Sequence, residues 1–304
     1  MENSVHRPDY RVHIALIFVQ VAFGGMHVFG KYALGYIPPM ALAGYRVLAA
    51  APILFLLSLR FTRVKPSGKD FAYLAMLGFF GVFANQLLFI NGLHFTTAIN
   101  AGIIMPSVPV FAAAVAVLFG IEKLNAPRAF GIALAVGGAL VMLDITRASF
   151  SHDTLVGNLM ILLNCLSYAL YLVFQRPLLK RLHPMTVVAW AFVFGGTGVV
   201  AASIPTMIHM SYSTVPPLAW GGLAYIVLVP TALAYALNSW ALTRSSAGLV
   251  ATYITLQPVA DAVLATWLLH EGIGVHEVLG FVLIMGGLIV VSRFGPNRRR
   301  KAGS

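Results

Sequence analysis

Three ionisable residues, Lys31, Arg46 and Asp261, stand inside long apolar stretches where charge is expensive. Such a group costs about 2.5–3.5 kcal/mol at the centre of a bilayer on insertion scales, so it faces protein or water and marks a pathway or a relay. A guanidinium at Arg46 can grip a solute carboxylate with two parallel N–H donors. A carboxylate at Asp261 can hold a cationic group or take up a proton. The competing chemistry is static: Asp261 pairs with Arg46 or Lys31 and both charges are neutralised without turnover. Lys31 has a further outlet, since its long stem can snorkel to the outer interface. Arg46 lies roughly 10 Å short of that interface at ~1.5 Å per helical residue, and so points inward.

Amides and hydroxyls gather at comparable depth: Gln20, Asn85, Gln86, Asn164, Tyr168 and Gln257. With Arg46 and Asp261 they form the candidate substrate-binding set. The same groups also serve as interhelix bridges, where measured pairs average only about 0.6 kcal/mol. His27 and His94 titrate near neutral pH where water reaches them, which makes them, with Asp261, candidates for proton coupling; packing is their competing role. Asn91, Asn100 and Asn238 near span ends, and Glu122 and Glu271 just ahead of further helices, read as caps or loop anchors. Tyr225, Tyr235, Tyr253, Trp240 and Trp267 read first as an interface belt and otherwise as cavity wall. Pro106, Pro109, Pro230 and Pro258 interrupt spans four, eight and nine, each removing a backbone donor.

Enzyme chemistry finds no support in these patterns. Neither His270-Glu271 nor His276-Glu277 is followed by histidine at metalloprotease spacing, and neither a Gly-x-Ser-x-Gly elbow nor a phosphate-cradling glycine loop occurs. No cofactor and no metal are expected. An intramembrane enzyme and a scaffold without flux remain the distant alternatives.

The elements that must position these residues are membrane helices. The chain is 59% hydrophobic and only 10% charged, against about 25% charged in soluble domains. Ten apolar stretches, each long enough to cross about 30 Å of hydrocarbon as a helix, run over 12–34, 39–59, 71–93, 98–120, 127–144, 155–175, 185–206, 217–241, 247–269 and 276–293. They are continuous rather than alternating, which excludes a β-barrel. The first span is too long for a signal-peptide core and is expected to be retained. Cys165 is the single cysteine and reads as packing. The expected class is an all-α membrane protein.

Of the 20 Lys and Arg residues, all but Lys31, Arg46 and Arg147 fall in segments that a cytoplasmic N-terminus would place inside. The positive-inside bias therefore predicts cytoplasmic tails at 1–11 and 294–304, in a plasma or cell inner membrane. The net charge of +11 then describes loops facing anionic headgroups rather than a nucleic-acid surface.

The chain also repeats itself. Displacement by 149 positions matches Pro109 with Pro258, Val110 with Val259, Ala113 with Ala262, Ala116 with Ala265 and Glu122 with Glu271. The register continues through Gly131 with Gly280, Leu134 with Leu283, Gly137 with Gly286, Gly138 with Gly287 and Val141 with Val290. Pro39-Met40 echoes Pro184-Met185, and Asn91 echoes Asn238. Five spans per copy, an odd number, make the second copy enter the membrane upside down: 12–144 and 155–293 are two inverted five-helix repeats, an arrangement that lets one central site face either side in turn. The glycines allow close helix approach within a protomer or between protomers of a homodimer.

The five-plus-five order, the proline followed 13 residues later by glutamate in both copies, and the glycine pairs resemble the EamA family of the drug/metabolite transporter superfamily over residues 12–293. Gly24-Gly25-Met26-His27-Val28-Phe29-Gly30-Lys31 followed by Tyr45-Arg46 resembles its plant nodulin-like branch. The resemblance implies a carrier, often an exporter, of amino acids, amines or related solutes, with a cavity walled by helices one, three, four, six, eight and nine. The expectation is alternating access around a zwitterionic or similar solute held by Arg46, Gln257 and Asp261, with Asp261 as the coupling group. A nucleotide-sugar or sugar-phosphate antiporter is the alternative that Lys31 and Arg46 keep open.

Overall fold

The computed structural model describes residues 10–62, 64–121, 126–143, 152–242, 244, 253, 256–270 and 272–293. Among them every regular element is helical. In chain order the long stretches are α1 (Tyr10–Leu34), α2 (Pro39–Leu59), α3 (Gly68–Phe95), α4 (Ala98–Leu118), α5 (Ala126–Leu143), α6 (His152–Phe174) and α7 (Pro184–His209). Next come α8 (Pro217–Ile226, continuing through Val227–Leu233 and Ala234–Leu242), α9 (Gln257–Leu269) and α10 (Val275–Arg293). Seven helices are long and apolar enough to cross a membrane, and two shorter apolar helices lie within α5 and α10. Leu56, Leu118, Ile208 and Trp267 point outward although large and apolar, as lipid-facing side chains do. The chain is an integral, multi-pass membrane protein.

Several predicted breaks take a different form. α4 is divided at Met105-Pro106 into Ala98–Ile104 and Ser107–Leu118. Pro109 and Pro258 fall in the first turns of Ser107–Leu118 and Gln257–Leu269, where the missing N–H is an orphan in any helix. Pro109 thus costs its helix no ladder bond, and most of the residues just ahead of Gln257 lie outside the described ones. Pro230 does sit within an irregularity, a wider π-type turn over Val227–Leu233. α3 carries the same kind of turn over Phe79–Ala84, without any proline. The two turns occupy corresponding places in the third helix and the third helix after α5.

Packing repeats under a shift of five. α1 lies on α8 and α9, while α6 lies on α3 and α4. α2 packs along α7, and α5 along α10. The last pair closes on glycine: a Cβ at Gly131 would stand 2.9 Å from the Gly287 carbonyl oxygen, and one at Gly138 would stand 2.8 Å from that of Gly280. With Gly286, whose Cβ would stand 3.2 Å from Leu134, five of the six glycines singled out in the sequence thus serve contact inside one chain. Gly137 faces open space. Glu122, Arg147 and Glu271 lie outside the described residues.

Candidate functional site

Polar residues line up on single helix faces. On α1, Gln20, Gly24 and His27 follow at i, i+4 and i+7; on α9, Gln257 and Asp261 follow at i, i+4. This spacing stacks side chains on one stripe, and α1 and α9 pack together. The outcome is a buried pair: His27 Nδ1 and Asp261 Oδ1 lie 2.7 Å apart, both fully inaccessible. Two glycines make room for the carboxylate. A Cβ on Gly24 would come 3.2 Å from Asp261 Oδ1, and one on Gly102 of α4 would fall inside the carboxylate. Phe89 of α3 covers the imidazole, with ring centres 5.4 Å apart. His27 Nε2 has no hydrogen-bond partner among the described residues.

Asp261 pairs neither with Arg46 nor with Lys31. The Lys31 ammonium donates to the main-chain oxygens of Leu93, His94 and Thr96, capping the C-terminus of α3, where carbonyls lack helical partners and the dipole favours a cation. Its stem runs to a neighbouring helix end rather than snorkelling freely. Thr96 in turn donates to Asn158 Oδ1 and receives Asn100 Nδ2, tying this corner to α6.

Arg46 forms the second cluster. It is 3% exposed; Nη1 donates to Gln86 Oε1 at 2.9 Å and Nε to Thr231 Oγ1 at 3.3 Å. Gln86 is the second residue after the wide turn of α3, and Thr231 lies in that of α8. A π-type turn displaces carbonyls from their ladder, and such turns recur at functional sites. Here side chains take them up. Thr231 donates to the Ile226 oxygen, Ser167 to that of Phe80 and Asn164 to that of Asn85. Tyr235 of α8 packs edge-on against Phe23 of α1 and Phe192 of α7.

The predicted residues therefore separate into groups. His27 and Asp261 meet, as do Arg46 and Gln86. Asn164 and Asn85 meet through the Asn85 main chain. Tyr168 stacks on Tyr171 beneath the α3 turn, where a Cβ on Gly81 would meet the Tyr171 ring. Gln20 and Gln257 are buried on the stripes that carry His27 and Asp261. His94 stands apart: it is exposed and lies edge-on to Phe95. Tyr235, first read as an interface residue, belongs to the interior, whereas Trp267 is 73% exposed. Thr231 was not singled out in the sequence; a lone threonine after Pro230 in an apolar stretch carries no signal by itself. Among the described residues no group of three or more His, Cys, Asp or Glu is placed to hold a metal ion.

A repeated helical bundle with charged groups sealed in its membrane interior is the general architecture of a polytopic carrier. The EamA-like transporter family model matches this chain twice, over residues 11–144 and 155–293, and the chain belongs to that family. It is similar to the uncharacterized transporter YyaM of Bacillus subtilis, at 25% identity over 92% of this chain and 93% of that protein. It is also similar to WALLS ARE THIN 1 of Arabidopsis thaliana, at 27% identity over 96% and 84%. A protein of Streptantibioticus cattleyicolor named "Probable terminal-alkyne amino-acid exporter" is 27% identical over 79% of each chain. A solved crystal structure with 15% sequence identity superposes at a TM-score of 0.63 over 95% of this chain and 99% of that one, which shows a shared fold.

Proposed function

We propose that this chain is a secondary transporter that exports a small polar metabolite, such as an amino acid, an amine or a related solute, by alternating access. Its two halves, 12–144 and 155–293, are read as inverted five-helix repeats, ten crossings in all, with both tails cytoplasmic. Chemistry on the solute is not part of this reading; relatives are named as transporters. The observation that carries it is the buried His27–Asp261 pair within a family member's membrane interior. A titratable dyad at that depth is costly to maintain without a role.

In the proposed cycle the dyad binds and releases one proton as the halves reorganise, and the two wide turns of α3 and α8 flex. Gln20 and Gln257, on the same helix faces, line the approach. Purified protein in proteoliposomes should take up solute saturably and show counterflow under an imposed pH gradient. Uptake unchanged in Asp261→Asn under that gradient would eliminate the coupling step. A second reading, exchange of sugar phosphates or nucleotide sugars, has one observation in its favour: Arg46 is a buried cation. Lys31, the other basic residue it needs, is engaged by three carbonyls.

A further inference from the structure

We infer that Arg46 is an anion-binding latch, and that the transported solute presents a carboxylate to it. This rests on the carrier reading above and names the class of its substrate. The ground is a missing counter-charge. Among the described residues the guanidinium meets two neutral acceptors, Gln86 Oε1 and Thr231 Oγ1, and the ion pairs lie elsewhere, at His27–Asp261 and Asp70–Arg181. A guanidinium does not escape burial by losing its proton in proteins. An uncompensated buried charge is strongly destabilising, so this arrangement is one that an arriving anion improves.

The donor geometry favours a carboxylate, whose two oxygens match the planar N–H fork. The other interior charges do not compete for it. Lys31 is spent on the end of α3, and Asp261 is held by His27 and boxed in by Gly24 and Gly102. Position then converts binding into motion. Arg46 bridges α3, in the first half, to α8, in the second, two residues past the wide turn of the one and within that of the other. A carboxylate that draws the guanidinium off Gln86 and Thr231 releases that tie, so loaded and empty protein differ at the elements placed to flex.

The test is thermal stability of the purified full chain against benzoate and benzamide, propionate and propionamide, and inorganic phosphate. In the wild type each carboxylate should raise the Tm by a few degrees in a concentration-dependent way, as a ligand of the folded state does, while its neutral amide does not. Gln86→Glu supplies the missing charge from within: its Tm without ligand should exceed that of the wild type and its response to benzoate should disappear. Equal shifts from acid and amide, or a larger shift with phosphate than with either carboxylate, would overturn the assignment. So would a Gln86→Glu protein no more stable than wild type that still responds to benzoate. Failure of the carrier reading alone looks different, as carboxylate binding without counterflow in proteoliposomes. Failure of the latch alone appears as saturable counterflow of neutral or cationic solutes with no preference for acid over amide.

Discussion

The two charged clusters of the interior solve the same problem in opposite ways. Around Asp261 the protein supplies an ionisable partner: an imidazole 2.7 Å away, with two glycines that clear space for the carboxylate and an aromatic lid. Around Arg46 the described residues supply only dipoles, an amide oxygen and a hydroxyl. A charge completed by its own protein is suited to holding a proton through a cycle, and a charge left incomplete is suited to receiving a partner. Removing one member of each cluster should therefore give unlike results.

The largest effect is expected from breaking the complete cluster. His27→Ala strands the Asp261 carboxylate and should cost about 3–5 kcal/mol of stability, the range for orphaning one partner of a buried pair. Adding Asp261→Asn should return part of that loss, a coupling that a double-mutant cycle on thermal stability measures. Arg46→Leu should instead leave the unliganded protein near wild-type stability, because the residue it deletes lacks a counter-charge. Equal losses from His27→Ala and Arg46→Leu would dissolve the contrast.

Next in size is the clearance for the carboxylate. Gly102→Ala places a methyl group within the Asp261 carboxylate, and overpacking of this kind costs about 1–3 kcal/mol. Gly137→Ala, at a glycine with nothing within 4 Å, should change stability by no more than about 0.5 kcal/mol. Unfolding of the two variants in detergent, followed by size-exclusion profile against temperature, separates them.

That a charge inside an apolar span turns toward protein was legible in the sequence, but not toward which neighbour. Arg46 and Asp261 are both buried, as the cost of a lipid-facing charge requires. Which helix each side chain faces depends on rotation about the axis and on the neighbour, and α1 and α9 are 234 residues apart at the His27–Asp261 pair. So the static alternative for Asp261 names Arg46 or Lys31 as its partner, and both of these bond elsewhere. The wide turns were less legible still. Phe79–Ala84 contains no proline, and its signature lies outside it, in Ser167 and Asn164 of α6, which donate to the Phe80 carbonyl within it and the Asn85 carbonyl just after it. The repeated glycines of α5 and α10 announced a close helix contact but left open whether it lies within one protomer or between two, because a small face suits either; here they meet each other inside one chain.

The smallest effects sharpen the comparison most finely, since they test whether the wide turns are scaffold or part of the Arg46 cluster. Ser167→Ala removes a hydroxyl from the Phe80 carbonyl at 2.8 Å, and Thr231→Val removes one from the Ile226 carbonyl at 2.7 Å. If each did no more than satisfy a displaced carbonyl, the two should cost alike, about 1 kcal/mol. Thr231 has a second duty, accepting Arg46 Nε, so its loss leaves the guanidinium with Gln86 alone. Thr231→Val should therefore cost more stability than Ser167→Ala in the absence of solute, and that excess should vanish when Arg46→Leu is already present. An excess that survives Arg46→Leu would assign Thr231 to the turn alone and detach the α8 turn from the charge it faces.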